Sequence, residues 1–458
     1  MRRPNVVLIN CDDLGYGDLG CYGSQLNATP ALDRLAAEGL RLDSFYMASP
    51  VCSPSRAALL TGCYPPRIGF GDFDGLPVLF PGQALGLPPS EISLGRLLSN
   101  AGYRTAMIGK WHCGDQPQFL PTNHGFDSYL GLPYSNDMGR QVGTRTTESG
   151  DQRGYPPLPL LLDDEVLEQQ PDQASLTARY LGEAVRVIRA ADERPFFLYL
   201  AHMYVHLPIY VQERFAKASR NGAYGAAVET IDWVTAAILR ELRDRGLDED
   251  TLVVFTSDNG SRGRDGGSNA PLRGTKGTTW EGGMRVPFIA RWPGRIEPGR
   301  TSDALTTSLD LFPTLAAICG ATVPNDRIID GIDISPLLLD GASSPREVFW
   351  FYRMNDLEAV RSGRWKLHLA KDGTPVAELY DVLADPAESG NLLSAHPEIV
   401  ARLTEVADAA RRTLGDARLG VTGTERRPAG RVDHPVALTV YDPTHPYSAA
   451  EYDLADRG

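Results

Sequence analysis

Long apolar runs are missing from this chain, and that absence is the first constraint on it. The longest, "PFFLYLA" from Pro195 and "TLVVFT" from Thr251, are strand-sized and far short of the roughly 20 residues that span a bilayer. Paired cysteines are missing too. Six cysteines (Cys11, Cys21, Cys52, Cys63, Cys113 and Cys319) are scattered along 458 residues with no CxxC pair, too few for a disulfide scaffold. A reducing compartment fits, with one or two disulfides as the alternative. Nor is there an excess of positive charge. A net charge of −13 argues against a nucleic-acid groove or a broad polyanion surface, so an anionic ligand would meet a small local cationic pocket. The N-terminal "MRRPNVVLIN" passes directly into a strand-like run, without the apolar core and small-residue cleavage site of an export signal. The expectation is a cytoplasmic protein. No internal repeat is visible.

What is present is an ordinary globular composition, 42% hydrophobic and 22% charged, on a chain longer than one hydrophobic core usually serves. Short apolar runs ("NVVLIN", "TAMIG", "FFLYLA", "LVVFTSDNG", "VPFIARW") alternate with helix-like stretches such as "ASLTARYLGEAVRVIRAA" and the amphipathic segment from Tyr224 to Arg245. This alternation predicts an α/β fold, a large mixed and mostly parallel sheet flanked by helices, with ligands at the carboxyl ends of the strands. After the loop "DGASSPR" the pattern changes to strand-like pieces and one helix near 398–414, which predicts a smaller C-terminal α+β unit. The expected organisation is a catalytic domain over 1–340, an antiparallel sheet plus helix over 341–418, and an extended tail over 419–458. Pro- and Gly-rich loops at 64–90 and 133–172 are long enough to form lids or rims.

Several short motifs carry chemistry. "NCDDLGYGDLG" puts Asp12 and Asp13 just past an apolar strand, where both carboxylates can converge on one cation; an Asx-type turn is the plain alternative. "TSDNG" repeats the arrangement with Asp258 and Asn259, and two such strand ends make an oxygen-only site suited to Ca2+ or Mg2+. "CSPSR" sets Cys52 at the start of a helix, where free N–H groups favour anions, with Arg56 one turn on; a buried cysteine beside a capped helix is the bland reading. "IGKWHCG" carries Lys110 and His112, which in extended chain face one way. "LAHMYVHLP" offers His202 and His206; Pro208 disfavours a helical metal pair, and His206 is preferred as a proton-transfer group. "LRGTKGTTWEGGMRVP" is a Gly/Thr-rich loop whose Lys276 supplies a point charge, and it lacks the spacing of a Walker loop.

Taken together these motifs resemble the type I sulfatases, especially the arylsulfatase A and N-acetylgalactosamine-6-sulfatase group, which belong to the alkaline phosphatase superfamily. "CSPSR" continued by "AALLTG" matches the family's modification signature, and "GKWH", "TSDNG" and "GTKGTTWEGG" follow in the family's order. The likeness runs from Asn5 to about Leu393, ending with "AVRSGRWKLH" and "ELYDVLADPAESGNLL". The resemblance implies a sulfuric ester hydrolase in which a separate formylglycine-generating enzyme converts Cys52 to Cα-formylglycine, an aldehyde that hydrates to a gem-diol. It implies that Asp12, Asp13, Asp258, Asn259 and modified Cys52 bind Ca2+ or Mg2+. One diol hydroxyl would attack sulfur while Lys110, Lys276 and Arg56 neutralise the sulfate oxygens. His206, helped by Lys276, would protonate the leaving alcohol, and His112 would take the proton of the second hydroxyl as sulfate is expelled. Ser135 in "LPYSNDMG" sits where family members contact the substrate sulfate. Cys113 replaces a common leucine, and the rim from Tyr134 to Asp172 matches no particular subfamily. The substrate expected is a small sulfate ester or a terminal sulfated sugar. Two other readings share the motifs: a phosphonate or phosphate monoester hydrolase with the same apparatus, and a non-catalytic anion-binding relative.

Overall fold

The strands form because their residues are apolar on both faces, as a sheet covered on both sides requires. A computed structural model describes residues 3–141 and 154–452. Its strands are, in chain order, β1 (Asn5–Cys11), β2 (Leu40–Tyr46), β3 (Leu85–Gly86), β4 (Arg104–Gly109), β5 (Ser128–Gly131), β6 (Pro159–Leu162), β7 (Glu165–Gln169), β8 (Phe196–Ala201), β9 (Thr251–Ser257), β10 (Arg285–Arg291), β11 (Arg300–Ser302) and β12 (Thr306–Thr307). Four longer strands follow, β13 (Val348–Arg353), β14 (Asp356–Ser362), β15 (Trp365–Lys371) and β16 (Thr374–Asp381), and then three of two residues each, β17 (Gly415–Asp416), β18 (Val421–Thr422) and β19 (Gly430–Arg431).

The large sheet has eleven strands in the order β11-β2-β10-β9-β1-β8-β4-β5-β6-β7, with β12 also paired to β2. The central run β9-β1-β8-β4-β5 is parallel throughout. β10 is antiparallel to both β9 and β2, so β2 points the same way as the central strands. Alternate residues of β1 feed two cores. Val6 and Leu8 face the layer holding the helices Cys52–Thr61, Leu94–Asn100 and Leu311–Cys319. Val7 and Ile9 face the helices Pro30–Ala37, Gln173–Arg189 and Gly222–Asp244. All four residues are fully buried, and each such side chain contributes about 1.5–3 kcal/mol. The helix Gln173–Arg189 starts where Asp172 accepts a hydrogen bond from the Ala174 N–H at 3.1 Å, a cap worth about 1 kcal/mol.

β13 to β16 form a four-stranded antiparallel sheet against which the helix Pro397–Leu414 packs. Its core is continuous with the first unit through Tyr46, Ala58 and Met284. The mixed, mostly parallel sheet with a smaller α+β companion is therefore the fold observed. The chain beyond Leu419 returns across the first unit: Gly430 pairs with Gly86 of β3, Arg427 Nε donates to Glu91 Oε1 at 2.6 Å, and Tyr452 is buried with its hydroxyl on the Pro171 carbonyl. All six cysteines are free. Among the described residues no helix is long and apolar enough to cross a membrane. Part of the expected rim, residues 142–153, lies outside the described residues.

Candidate active site

The central strands all end on one edge of the sheet, and the chemistry-bearing motifs follow those ends directly. Cys11 of β1 and Ser257 of β9 are in register, so Asp12–Asp13 and Asp258–Asn259 emerge side by side. The Asp258 N–H donates to the Cys11 carbonyl at 2.9 Å, and the Asp12 N–H to the Tyr204 carbonyl at 3.1 Å beyond β8. Past β4, the Lys110 N–H donates to the Ala201 carbonyl at 2.8 Å. Gly109 permits this approach, since a Cβ there would stand 1.9 Å from the Ala201 oxygen and its φ is +103°. β2 leads into the helix Cys52–Thr61, with Cys52 as its first residue. β10 runs the other way, so the loop preceding it arrives at the same edge and delivers Lys276. The loop is tied to the segment before Cys52, the Gly277 N–H donating to the Pro50 carbonyl at 2.9 Å.

Three carboxylates and three cations interlock there. Lys110 Nζ lies 2.5 Å from Asp12 Oδ2. Arg56 joins Asp12 Oδ2 at 3.0 Å and Asp258 Oδ2 at 2.7 Å, and also donates to the Lys110 carbonyl at 2.9 Å. Lys276 Nζ lies 2.9 Å from Asp13 Oδ2. The Asp13 N–H donates to Asp258 Oδ1 at 3.2 Å, and Asn259 Nδ2 donates to Asp13 Oδ1 at 2.7 Å. Burial alone would raise the Asp12 carboxyl, but the Lys110 and Arg56 charges outweigh it and hold it well below the usual carboxylate range. Burial and the neighbouring Asp12 charge push Asp258 upward against the pull of Arg56.

Asp12 Oδ1 and Asn259 Oδ1 are buried without a hydrogen-bond partner. Orphaned oxygens in a cluster of this kind fit a hard divalent cation, which would satisfy them. Ligand atoms of Asp12, Asp13 and His206 also lie within 4.8 Å of one another. Asp12, Asp13, Asp258 and Asn259 thus lie together, and His206, not expected among the donors, joins them.

The remaining residues surround this cluster. Lys110 Nζ donates to Ser135 Oγ at 3.1 Å, and Ser135 Oγ stands 3.5 Å from His206 Nε2. His206 Nε2 lies 3.9 Å from Asp13 Oδ2, whereas His202 is buried with its Nε2 unpartnered. Burial, reinforced by Lys276, pushes the His206 imidazole well below its ordinary range; burial and Lys110 do the same to His112. His112 does not sit in extended chain beside Lys110. Its φ is +59°, a left-handed conformation it shares with Asp13 at +58°, at a cost of about 1–2 kcal/mol each. That turn aims Nε2 at the Leu79 carbonyl, 2.9 Å away, and leaves Nδ1 unpartnered.

Burial raises the Cys52 thiol above its ordinary range, although Lys110 and Lys276 pull the other way.

Two contributors carry no signal that sequence reasoning used. Asp137 is buried against the Ser135 hydroxyl, its carboxyl pushed up by burial although Lys110 opposes. Its place two residues after Ser135 was the available hint. Ser55 donates through Oγ to the Asp258 carbonyl, fixing the helix to the metal-type loop.

Residues 4–321 match the protein family described as Sulfatase, and residues 275–412 match one described as N-sulphoglucosamine sulphohydrolase, C-terminal. Human arylsulfatase A is 41% identical over 447 residues, covering 88% of this chain and 87% of that protein. The N-acetylgalactosamine-6-sulfatase of Rattus norvegicus is 43% identical, covering 80% of this chain and 72% of that protein. The crystal structure of a sulfatase from Pseudoalteromonas sp. superposes with a TM-score of 0.80 at 31% identity, covering 89% of this chain and 90% of that one.

Proposed function

The chain belongs to the sulfatase family and hydrolyses sulfate esters, and we propose that it acts on small aryl sulfates or terminal sulfated sugars through Cα-formylglycine made from Cys52. One observation carries this reading. Position 52 opens a helix and is buried at the edge where Asp12, Asp258, Lys110 and Lys276 gather, so an oxygen carried there would face the metal-type carboxylates and both lysines. The hydrated aldehyde supplies an oxygen nucleophile with a second hydroxyl on the same carbon, so release of sulfate needs no attacking water. Asp12, Asp13, Asp258 and Asn259, with modified residue 52, would hold Ca2+, or Mg2+, which supplies Lewis-acid polarisation of oxygen.

The protein's own groups do the rest. The three carboxylates and three cations of the cluster cancel, so a bound dication leaves the site net positive and attractive to an anionic ester. Lys110 and Lys276, fixed by Asp12 and Asp13, present ammonium protons to the sulfate oxygens as charge develops on them. Arg56 serves differently from a direct substrate contact: its guanidinium is committed to Asp12, Asp258 and the Lys110 carbonyl, so it orients the carboxylates. Ser135 orients Lys110 and faces His206. His206 takes up a proton together with the negative charge that the ester brings, then gives it to the departing alcohol. His112, with Nδ1 free, accepts the proton released at position 52.

Residues 53 to 56 are fully buried and Cys52 is 2% exposed. This burial supports a reading in which the formylglycine-generating enzyme acts on the chain before it folds.

The test is to digest protein from its native host with trypsin, measure the mass of the Leu42–Arg56 peptide, and compare turnover of matched nitrophenyl sulfate and phosphate esters. Aldehyde at position 52 with faster sulfate turnover supports the reading. Unmodified cysteine, or faster phosphate turnover by the aldehyde form, overturns it.

A further inference from the structure

The Lys276 loop is held from two sides. Lys276 occupies the second position of a turn from Thr275 to Thr278, closed by the Thr278 N–H on the Thr275 carbonyl at 3.1 Å, with Gly277 at φ +84° in the third position. On the catalytic side the Lys276 N–H donates to the Ser261 carbonyl and the Gly277 N–H to the Pro50 carbonyl, both at 2.9 Å. The other side is covered by the small C-terminal sheet. Arg353, at the end of β13, donates through Nε to the Gly277 carbonyl at 3.0 Å. Glu358 on β14 accepts from Thr279 Oγ1 at 2.8 Å, and Lys366 on β15 donates through Nζ to the Thr279 carbonyl at 2.8 Å. A fourth contact comes from the loop after β16, where Glu388 Oε2 accepts from the Glu281 N–H at 2.8 Å. Lys366 is fully buried and also pairs with Glu281 at 3.0 Å and Glu388 at 3.1 Å.

Three successive strands of one sheet thus each place a polar side chain on Gly277 or Thr279, within three residues of the lysine that enters the active site. Burying Glu358 and Lys366 costs several kcal/mol unless their partners are fixed in place, so the arrangement favours one position of the loop. We infer that Arg353, Glu358 and Lys366 are positioning residues for Lys276, through which the C-terminal sheet acts on the reaction; this rests on Lys276 being a cation at the transferred sulfate. A shift of about 1 Å at a reacting group costs up to about a hundredfold in rate.

Arg353 suits the test because its side chain is 37% exposed and its removal leaves no buried charge. With aldehyde content quantified for each protein, Arg353→Ala lowers kcat on nitrophenyl sulfate about tenfold with KM changed less than about twofold. Arg353→Lys recovers most of the loss, and Glu358→Gln shows the same kcat effect. In a Lys276→Ala background, Arg353→Ala adds no further loss beyond about twofold. Arg364→Ala, in the turn between β14 and β15 and paired with Asp381, leaves kcat unchanged. Equal losses in both backgrounds, or no loss at all, overturn the inference. Hydrogen exchange of the peptide spanning 272–284 gives a reading independent of turnover: it quickens in Arg353→Ala at an unchanged melting temperature, and unaltered exchange overturns the inference. Aldehyde-bearing wild type that releases no sulfate would instead condemn the proposed chemistry, with exchange still deciding the clamp.

Discussion

Lys110 reaches across β8 to place its Nζ 2.5 Å from Asp12 Oδ2, joining the ends of β4 and β1 in a fully buried ion pair. Lys110→Ala strips Asp12 of one of its two cations, leaving Arg56. Sulfate release falls about 10²–10³-fold, the scale of losing one preorganised donor. Without added divalent cation the protein also loses about 3 kcal/mol of stability, since a buried carboxylate is left short of charge. Denaturant midpoints with and without Ca2+ check this, the deficit shrinking when Ca2+ is present.

The unpartnered oxygens of Asp12 and Asn259 make metal binding a stability effect as well as a catalytic one. Adding Ca2+ at about 100 times its dissociation constant raises stability by about 2.7 kcal/mol, and a chelator abolishes both that gain and turnover. Asn259→Ala removes most of the calcium-dependent shift in melting temperature. An Asn259→Ala protein that keeps the full shift would exclude this residue as a ligand.

Much of this site is local in sequence, which is why it could be read there. Asp12–Asp13, Asp258–Asn259 and Lys110 each follow an apolar strand by one or two residues, and a parallel sheet gathers strand ends without further instruction. What brings Lys276 to Asp13, 263 positions earlier, is strand order: β10 inserted antiparallel between β9 and β2. No periodicity encodes that insertion. The role of Arg56 was likewise hidden, because residue type and helical position do not reveal that two carboxylates and a carbonyl already use its guanidinium. The left-handed turn at His112 and the contacts of the C-terminal sheet with the Lys276 loop depend on tertiary packing over long separations and leave no local pattern.

His206 as proton donor predicts a dependence on the leaving group. Replacement by Asn lowers turnover of an alkyl or sugar sulfate about 10²–10⁴-fold, the usual contribution of general acid catalysis. Nitrophenyl sulfate, whose phenolate leaves without protonation, is affected far less. Parallel kinetics on the two esters decide the point, and an equal loss on both would remove His206 from that role.

His124 gives the fold its own acid sensitivity, away from the reaction. The ring is 1% exposed, 5.3 Å from the Trp111 ring centroid, and burial brings its pKa from 6.5 down to about 4. Between these values the unfolded chain binds a proton that the folded chain does not, so stability rises with pH across this window. The contribution is fully present above about pH 6.5 and is lost as pH falls through 4, amounting to about 3 kcal/mol. His124→Phe, which keeps an aromatic ring beside Trp111, flattens this part of the profile. Denaturation midpoints between pH 4 and 7 measure the difference, and a variant with an undiminished slope would assign the acid sensitivity to another group.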